Sequence, residues 1–120
     1  MEKKKLGNEG EDLAVNYLTN NGYKIRATNW YYKHKEIDIV AEKDEILSIV
    51  EVKARSSEFC EAPGELVPRK KQRFLIEAAE AYIQKHDVDQ DVQFDLITIC
   101  FKNGKTNLQH TTEAFEPHLL

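Results

Sequence analysis

The stretch 36–53 constrains the fold more than any other part of the chain. Residues 45–53, Glu-Ile-Leu-Ser-Ile-Val-Glu-Val-Lys, are apolar almost to their end. That is the pattern of a central strand covered on both faces. Residues 36–42, Glu-Ile-Asp-Ile-Val-Ala-Glu, read as a second strand, with Ile37, Ile39 and Ala41 expected on one face. Only Lys43-Asp44 separates the two strands, which is too short for a crossover, so they must pair as an antiparallel hairpin. A sheet centred on such a strand needs helices on both sides.

The flanking sequence supplies them. Residues 8–21 carry Leu13, Ala14, Tyr17 and Leu18 at helical spacing, and Gly22 suits the position after a helix end. Residues 23–30 alternate as a strand. A loop over 54–67 contains Pro63 and Gly64, and Pro68 opens a helix over 68–86 with Leu75, Ala78, Ala79, Tyr82 and Ile83 as its buried stripe. A strand at 92–101 turns at Asn103-Gly104 into a weaker strand at 106–112. The order α-β-β-β-α-β-β, without linker or repeat, predicts a single α/β domain spanning 1–120 around one mixed sheet.

Charge sits where it is costly. Glu51 and Lys53 share a face with Leu47 and Ile49, and Asp38 shares one with Glu36 and Val40. A carboxylate and an ammonium in a central strand must be paired or bound to something. With the hairpin symmetric about Lys43-Asp44, Asp38 falls near residues 49–51, where it can meet Glu51. Two carboxylates held together repel unless a cation or proton lies between them. Oxygen-only ligands of this kind suit Mg²⁺ or Mn²⁺. A strand-end salt bridge from Lys53 to Asp38 or Glu51 satisfies the same residues and stays open on pattern alone. On the first helix Glu11 lies at the margin of the apolar arc, and Asp12 points away from it.

The 120 residues carry a formal net charge of −4, which at face value argues against a nucleic-acid partner. The charges are segregated, however. Lys24, Arg26, Lys33 and Lys35 fall in an acid-free stretch over 22–35, Arg69 to Arg73 form a second basic block, and Lys53 with Arg55 a third. A basic face on an acidic protein is what phosphate binding needs, although charge runs are more often plain solvated surface. Trp30, Tyr31 and Tyr32, interleaved with Lys33 and His34, could stack on an unpaired base. Core and hairpin packing is the simpler reading, and the favoured one for Trp30. Neither His34, His86, His110 nor His118 lies in a ligand pattern. Cys60 and Cys100 lack metal-site spacing and fit free thiols in a reducing, cytoplasmic setting. No apolar run approaches the ~20 residues of a membrane helix, and no signal peptide is evident.

Asp38, followed after twelve residues by Glu51-Val52-Lys53, resembles the PD-(D/E)XK motif of the restriction-endonuclease-like superfamily. The chain more closely resembles the YraN-like uncharacterised family of predicted endonucleases. The match is carried by Gly7-Asn8-Glu9-Gly10-Glu11 with Ala14 and Leu18, by Asn29-Trp30 ahead of Glu36 to Val40, by Val50 to Arg55, and by Lys71-Gln72 with Leu75. It spans about 7–116 and is similar in arrangement to archaeal Holliday-junction resolvases and Mrr-type restriction domains. Ile37 stands where the superfamily motif has Pro, Lys35 where the closer family generally has Gly, Ala54 where it has Thr, and Tyr31 where Arg is common.

The resemblance implies a restriction-endonuclease-like αβββαβ core with helices flanking a central mixed sheet. It implies a Mg²⁺- or Mn²⁺-dependent endonuclease acting on DNA rather than RNA, with branched or Holliday-junction-like DNA among the expected substrates. Asp38, Glu51 and Lys53 would be catalytic, and Glu11, Asp38 and Glu51 would face the metal ion. Arg55, Arg69, Lys71, Gln72, Lys33 and Lys35 are the expected nucleic-acid contacts. The alternative is a non-catalytic nucleic-acid-binding module with the same fold. A homodimer would suit a symmetric junction.

Overall fold

The computed structural model describes residues 3–56 and 67–117. Seven elements follow in the expected order: α1 (Lys3–Asn20), β1 (Lys24–Tyr32), β2 (Lys35–Lys43), β3 (Ile46–Ser56), α2 (Arg69–His86), β4 (Asp91–Lys102) and β5 (Lys105–Phe115). The five strands form one sheet in sequence order, β1-β2-β3-β4-β5. β1, β2 and β3 form an antiparallel meander, β3 pairs with β4 in parallel, and β4 pairs with β5 antiparallel. A parallel pair requires a crossover, and α2 lies within it. The expected loop over 54–67 begins later, because Ala54, Arg55 and Ser56 continue β3 beside Ile99, Cys100 and Phe101. Pro63 and Gly64 lie outside the described residues.

Each helix covers one face of the sheet. Leu75, Ala78, Ala79 and Tyr82 of α2 pack with Val40, Leu47, Ile49, Phe94 and Leu96. Ala14 and Leu18 of α1 pack with Ile39, Ala41, Val50, Ile97 and Ile99. α1 ends as Gly22 suggested: Gly22 has φ +89°, and Tyr23 N donates to Leu18 O at 2.9 Å. α2 ends at Asp87, itself left-handed, with Val88 N donating to Ile83 O at 3.0 Å.

Gly10 sets how closely α1 lies on the sheet. A Cβ at this buried position would stand 2.8 Å from Ala54 Cβ. Glycine therefore lets the helix settle onto β3 and brings its neighbour Glu11 towards that strand.

Two expectations for the hairpin shift. The turn residues are Asp44 and Glu45, both at positive φ (55° and 64°), rather than Lys43 and Asp44. Lys43 instead pairs with Ile46 and Ile39 with Val50, so the register continues to place Asp38 opposite Glu51. The face assignment of β2 also changes. Ile37 packs on the α2 side, whereas Ile39 and Ala41 pack on the α1 side. Glu36 and Val40, expected on one face, lie on opposite ones: Glu36 meets Asn29, which also holds Glu11 of α1, and Val40 packs under α2. β1 breaks its alternation at the same level. Ala27 and Trp30 both pack on the α2 side, with Asn29 between them at φ 48°. A left-handed residue turns the strand over, so no strict period-2 rule can run through Asn29 and Asp38.

The cysteine expectation fails at Cys100, which is disulfide-bonded rather than a thiol. Cys60, the chain's other cysteine, lies outside the described residues.

Candidate active site

The carboxylates gather where the β2–β3 ladder ends, near the carboxyl end of β3 and the start of α2. Asp38 and Glu51 are both buried, with 9% and 7% of their surface exposed. Beyond Ile39 and Val50 the strands part. Asp38 Oδ2 takes the Val52 backbone N–H at 2.8 Å, so a side chain replaces the lost ladder partner. Glu51 is the charged neighbour that acts most strongly on Asp38. Burial, then the Glu51 charge, pushes the Asp38 carboxyl up to about 8, against the pull of the Val52 N–H. Near neutral pH the pair therefore holds a proton that two exposed carboxylates would have lost.

Glu51 is only partly satisfied. Its Oε2 faces Lys71 Nζ of α2 at 3.6 Å, and its Oε1 is buried without a hydrogen-bond partner among the described residues. Such an orphan oxygen is costly unless something outside the chain meets it. Lys53, half-buried two residues on, forms no ion pair with either carboxylate among the described residues. The strand-end salt bridge that pattern alone left open is not made, and Lys71 from the crossover helix supplies the nearby charge instead.

Glu11 joins the edge of this group. Its Oε1 accepts from Asn29 Nδ2 at 2.7 Å, and the same amide nitrogen donates to Glu36 Oε2 at 2.8 Å. Burial raises the Glu11 pKa, with smaller contributions from Glu36, Asp12 and Glu51, while the Asn29 bond lowers it. The left-handed Asn29 thus braces two carboxylates from different elements. Sequence reading missed Asn29 and Glu36 in this role, although the position of Asn29 just ahead of the hairpin was visible.

The donor set is oxygen-only and fits a hard divalent cation. Mg²⁺ commonly takes one or two protein carboxylates and completes its shell with water and substrate oxygens. Among the described residues, no group of three or more His, Cys, Asp or Glu side chains is arranged to hold a metal ion as the side chains stand. A cation here would rest on the Asp38–Glu51 pair, with Glu11 adjacent and tied to Asn29.

The expected nucleic-acid contacts divide. Lys71 reaches the carboxylates. Gln72 Nε2 donates to Val67 O at 2.8 Å and helps fix the start of α2. Among the described residues, that start has no side-chain cap and no acid in its first turn, an arrangement that suits an anion. Arg55 donates to Ala54 O at 3.1 Å. Lys35 is engaged internally, 3.1 Å from Glu77 Oε2 and over the Tyr32 and Phe74 rings. Lys33 is exposed and lies over Tyr32. Trp30 packs edge-on to Tyr82 at 5.2 Å, as the packing reading requires. An open cleft of about 860 Å³ separates the end of β1 from α2, and none of Glu11, Asp38 or Glu51 lines it. An acidic recess with Asp44, Glu45, Asp89 and Asp91 lies by the β2–β3 turn and the start of β4.

Residues 10–99 match the uncharacterised protein family UPF0102. The chain belongs to this family. A UPF0102 protein of Bacteroides thetaiotaomicron is 44% identical over 118 residues, covering 98% of both chains. One from Bacteroides fragilis is 45% identical over 114 residues, covering 95% of this chain and 94% of its own. Another, from Flavobacterium psychrophilum, is 40% identical over 114 residues, covering 95% and 96%. The UPF0102 match takes in Glu11, Asp38, Glu51, Lys53 and Lys71 together. No helix among the described residues is long and apolar enough to cross a membrane.

Proposed function

We propose that this UPF0102 protein is a metal-dependent endonuclease that hydrolyses phosphodiester bonds in DNA, on a restriction-endonuclease-like core. The observation that carries the reading is the buried Asp38–Glu51 pair, with Glu51 Oε1 unmatched and Asp38 pushed up to about 8. A chain has no structural reason to press two carboxylates together and leave an oxygen unsatisfied, whereas a cation site does. The element order helix, three-strand meander, crossover helix and parallel strand also agrees with the core that the PD-(D/E)XK resemblance implies.

Asp38 and Glu51 would hold Mg²⁺ or Mn²⁺, with Glu11 as the neighbouring carboxylate. A bound ion of this kind supplies an acidified water and neutralises phosphate charge. The residues of the chain do the rest. Asp38 gives up its shared proton as the site fills. The Lys53 ammonium faces the charge that grows on the phosphate. Lys71, now paired with Glu51, is within reach of a neighbouring phosphate oxygen. The uncapped start of α2, with Arg69, binds a second phosphate through backbone N–H groups. Branched DNA, which presents strand junctions to a single basic end, is the substrate class that suits this layout best.

The test is cleavage of supercoiled plasmid, single-stranded DNA and a four-way junction with Mg²⁺ or Mn²⁺. Cutting by the wild type that is lost in both Glu51→Ala and Lys53→Ala supports the assignment, and cutting that survives in both overturns it. Salt-sensitive binding without turnover would leave the non-catalytic module as the reading.

A further inference from the structure

Among the described residues, Tyr31 stands out as a large hydrophobic side chain left exposed, at 62% of its surface. Its two neighbours behave otherwise. Trp30 is packed on Tyr82, and Tyr32 packs against the α2-side core beneath Lys33 and Lys35. Single exposed aromatics are ordinary on protein surfaces, so exposure alone decides nothing. What distinguishes Tyr31 is where the sheet puts it. It lies directly across the strand pair from Glu36. Glu36 is in turn held by Asn29, which also holds Glu11. The strand register and these two bonds therefore set Tyr31 at the edge of the carboxylate group.

An exposed tyrosine on an edge strand presents a flat, rigid face with only two side-chain torsions to order. The neighbouring Lys33 is exposed and positively charged. Aromatic faces flanked by cations take nucleobases by stacking, with little regard to sequence, but only when the base has left its duplex stack.

We propose that Tyr31 is a stacking platform for an unpaired nucleobase beside the carboxylate site of Asp38 and Glu51. The inference rests on the nuclease reading for its geometry. It makes the substrate DNA with an unpaired nucleotide at the cleavage point: a single strand, a flap or a junction arm.

The experiment compares binding of a labelled single-stranded oligonucleotide, the same length of duplex and an abasic oligonucleotide, in Ca²⁺ to hold back turnover. Tyr31→Ala, Tyr31→Phe and Tyr31→Trp are measured alongside the wild type, and cleavage of the same DNAs in Mg²⁺ and Mn²⁺ is followed separately. Wild-type protein should bind the base-bearing single strand more tightly than the abasic one. Tyr31→Ala should weaken single-strand binding about tenfold to a hundredfold and leave duplex binding unchanged. Tyr31→Trp and Tyr31→Phe, which keep an aromatic face, should both bind the single strand nearly as the wild type does. Equal binding of abasic and base-bearing strands, or wild-type binding by Tyr31→Ala, overturns the platform whether or not DNA is cut. Tyr31-dependent binding without cleavage by the wild type overturns the nuclease reading and keeps the platform. No binding of any DNA overturns both.

Discussion

The sheet buries acid in two places, and it treats them in opposite ways. Asp95, with 1% of its surface exposed, sits on the α1 side of β4 where the β4–β5 register slips between Phe94 and Leu96. Every part of it is answered. Glu113 N, from a residue at φ 50°, donates to Oδ1 at 3.1 Å, as does Gln93 Nε2. His110 Nε2 meets Oδ2 at 2.9 Å, and the Tyr17 hydroxyl closes the chain on His110 Nδ1 at 3.1 Å. A neutral imidazole with its proton on Nε2 satisfies both bonds. The carboxylate thus fills a bulge and ties β5 to α1. Asp38 and Glu51, by contrast, have the Val52 N–H, a distant Lys71 and each other. Burial of charge is common to both places. Unmet demand belongs to one, and it is the better mark of a site that awaits a ligand.

The comparison breaks most visibly if Asp95 proves dispensable. Asp95→Ala leaves His110 and the Glu113 N–H without an acceptor and should cost about 2–4 kcal/mol of stability. Chemical denaturation reads the loss directly, and a change below about 1 kcal/mol would place Asp95 with ordinary surface acids.

The opposite sign is expected at Asp38. Its folded pKa, about 8, lies above the unfolded value of 3.8, so the folded chain binds more protons between these limits. Its contribution to stability is therefore fully present below pH 3.8 and declines as pH rises, until about 8. Melting temperatures of metal-free wild type and Asp38→Asn, compared between pH 5 and pH 8.5, should show a steeper decline in the wild type. Saturating Mn²⁺ should shift wild-type stability upward most at the alkaline end. Parallel pH curves for the two proteins would refute the shared proton.

A smaller gain is expected from Glu51→Gln. An amide removes the like charge and can hydrogen-bond Asp38, so metal-free stability should rise by about 1–2 kcal/mol while Mn²⁺ binding is lost. Calorimetry of both properties on one sample separates this from general damage; a fall in stability would show that the pair is structural after all.

The smallest effect concerns the brace. Asn29→Ala removes the shared donor of Glu11 and Glu36 at an exposed position and should cost about 0.5–1.5 kcal/mol, with a raised Glu11 pKa visible by NMR titration. An unmoved Glu11 would leave Asn29 a backbone device only.

How far the sequence reached differs between the same two regions. The meeting of Asp38 and Glu51 was legible because a two-residue connection fixes the register to within a residue or two, even though the turn proved to be Asp44-Glu45. The helices were legible from their apolar stripes. The inversion of β1 and β2 at Asn29 and Asp38 was not, because a period-2 reading assumes continuous strand backbone. Nor was Lys71 legible as the partner of Glu51: Lys53 was nearer in sequence, and only packing of α2 decides between them. The Asp95–His110–Tyr17 chain joins residues 93 apart across a bulge, and no local pattern announces either the slip or its filling. The disulfide at Cys100 was hidden for the same reason, since wide cysteine spacing carries no geometry.

The parallel pairing of β3 with β4 has a consequence in time. Hairpins close within microseconds from local contacts, whereas a parallel pair must wait for its whole crossover to be gathered in. β1, β2 and β3 can assemble as soon as they exist. Glu51 comes under Lys71 only when α2 has folded back and β4 has docked. The acids are thus aligned early, still in water, and the cost of burying them falls on the last and slowest closure, the same step that brings Lys71 to Glu51.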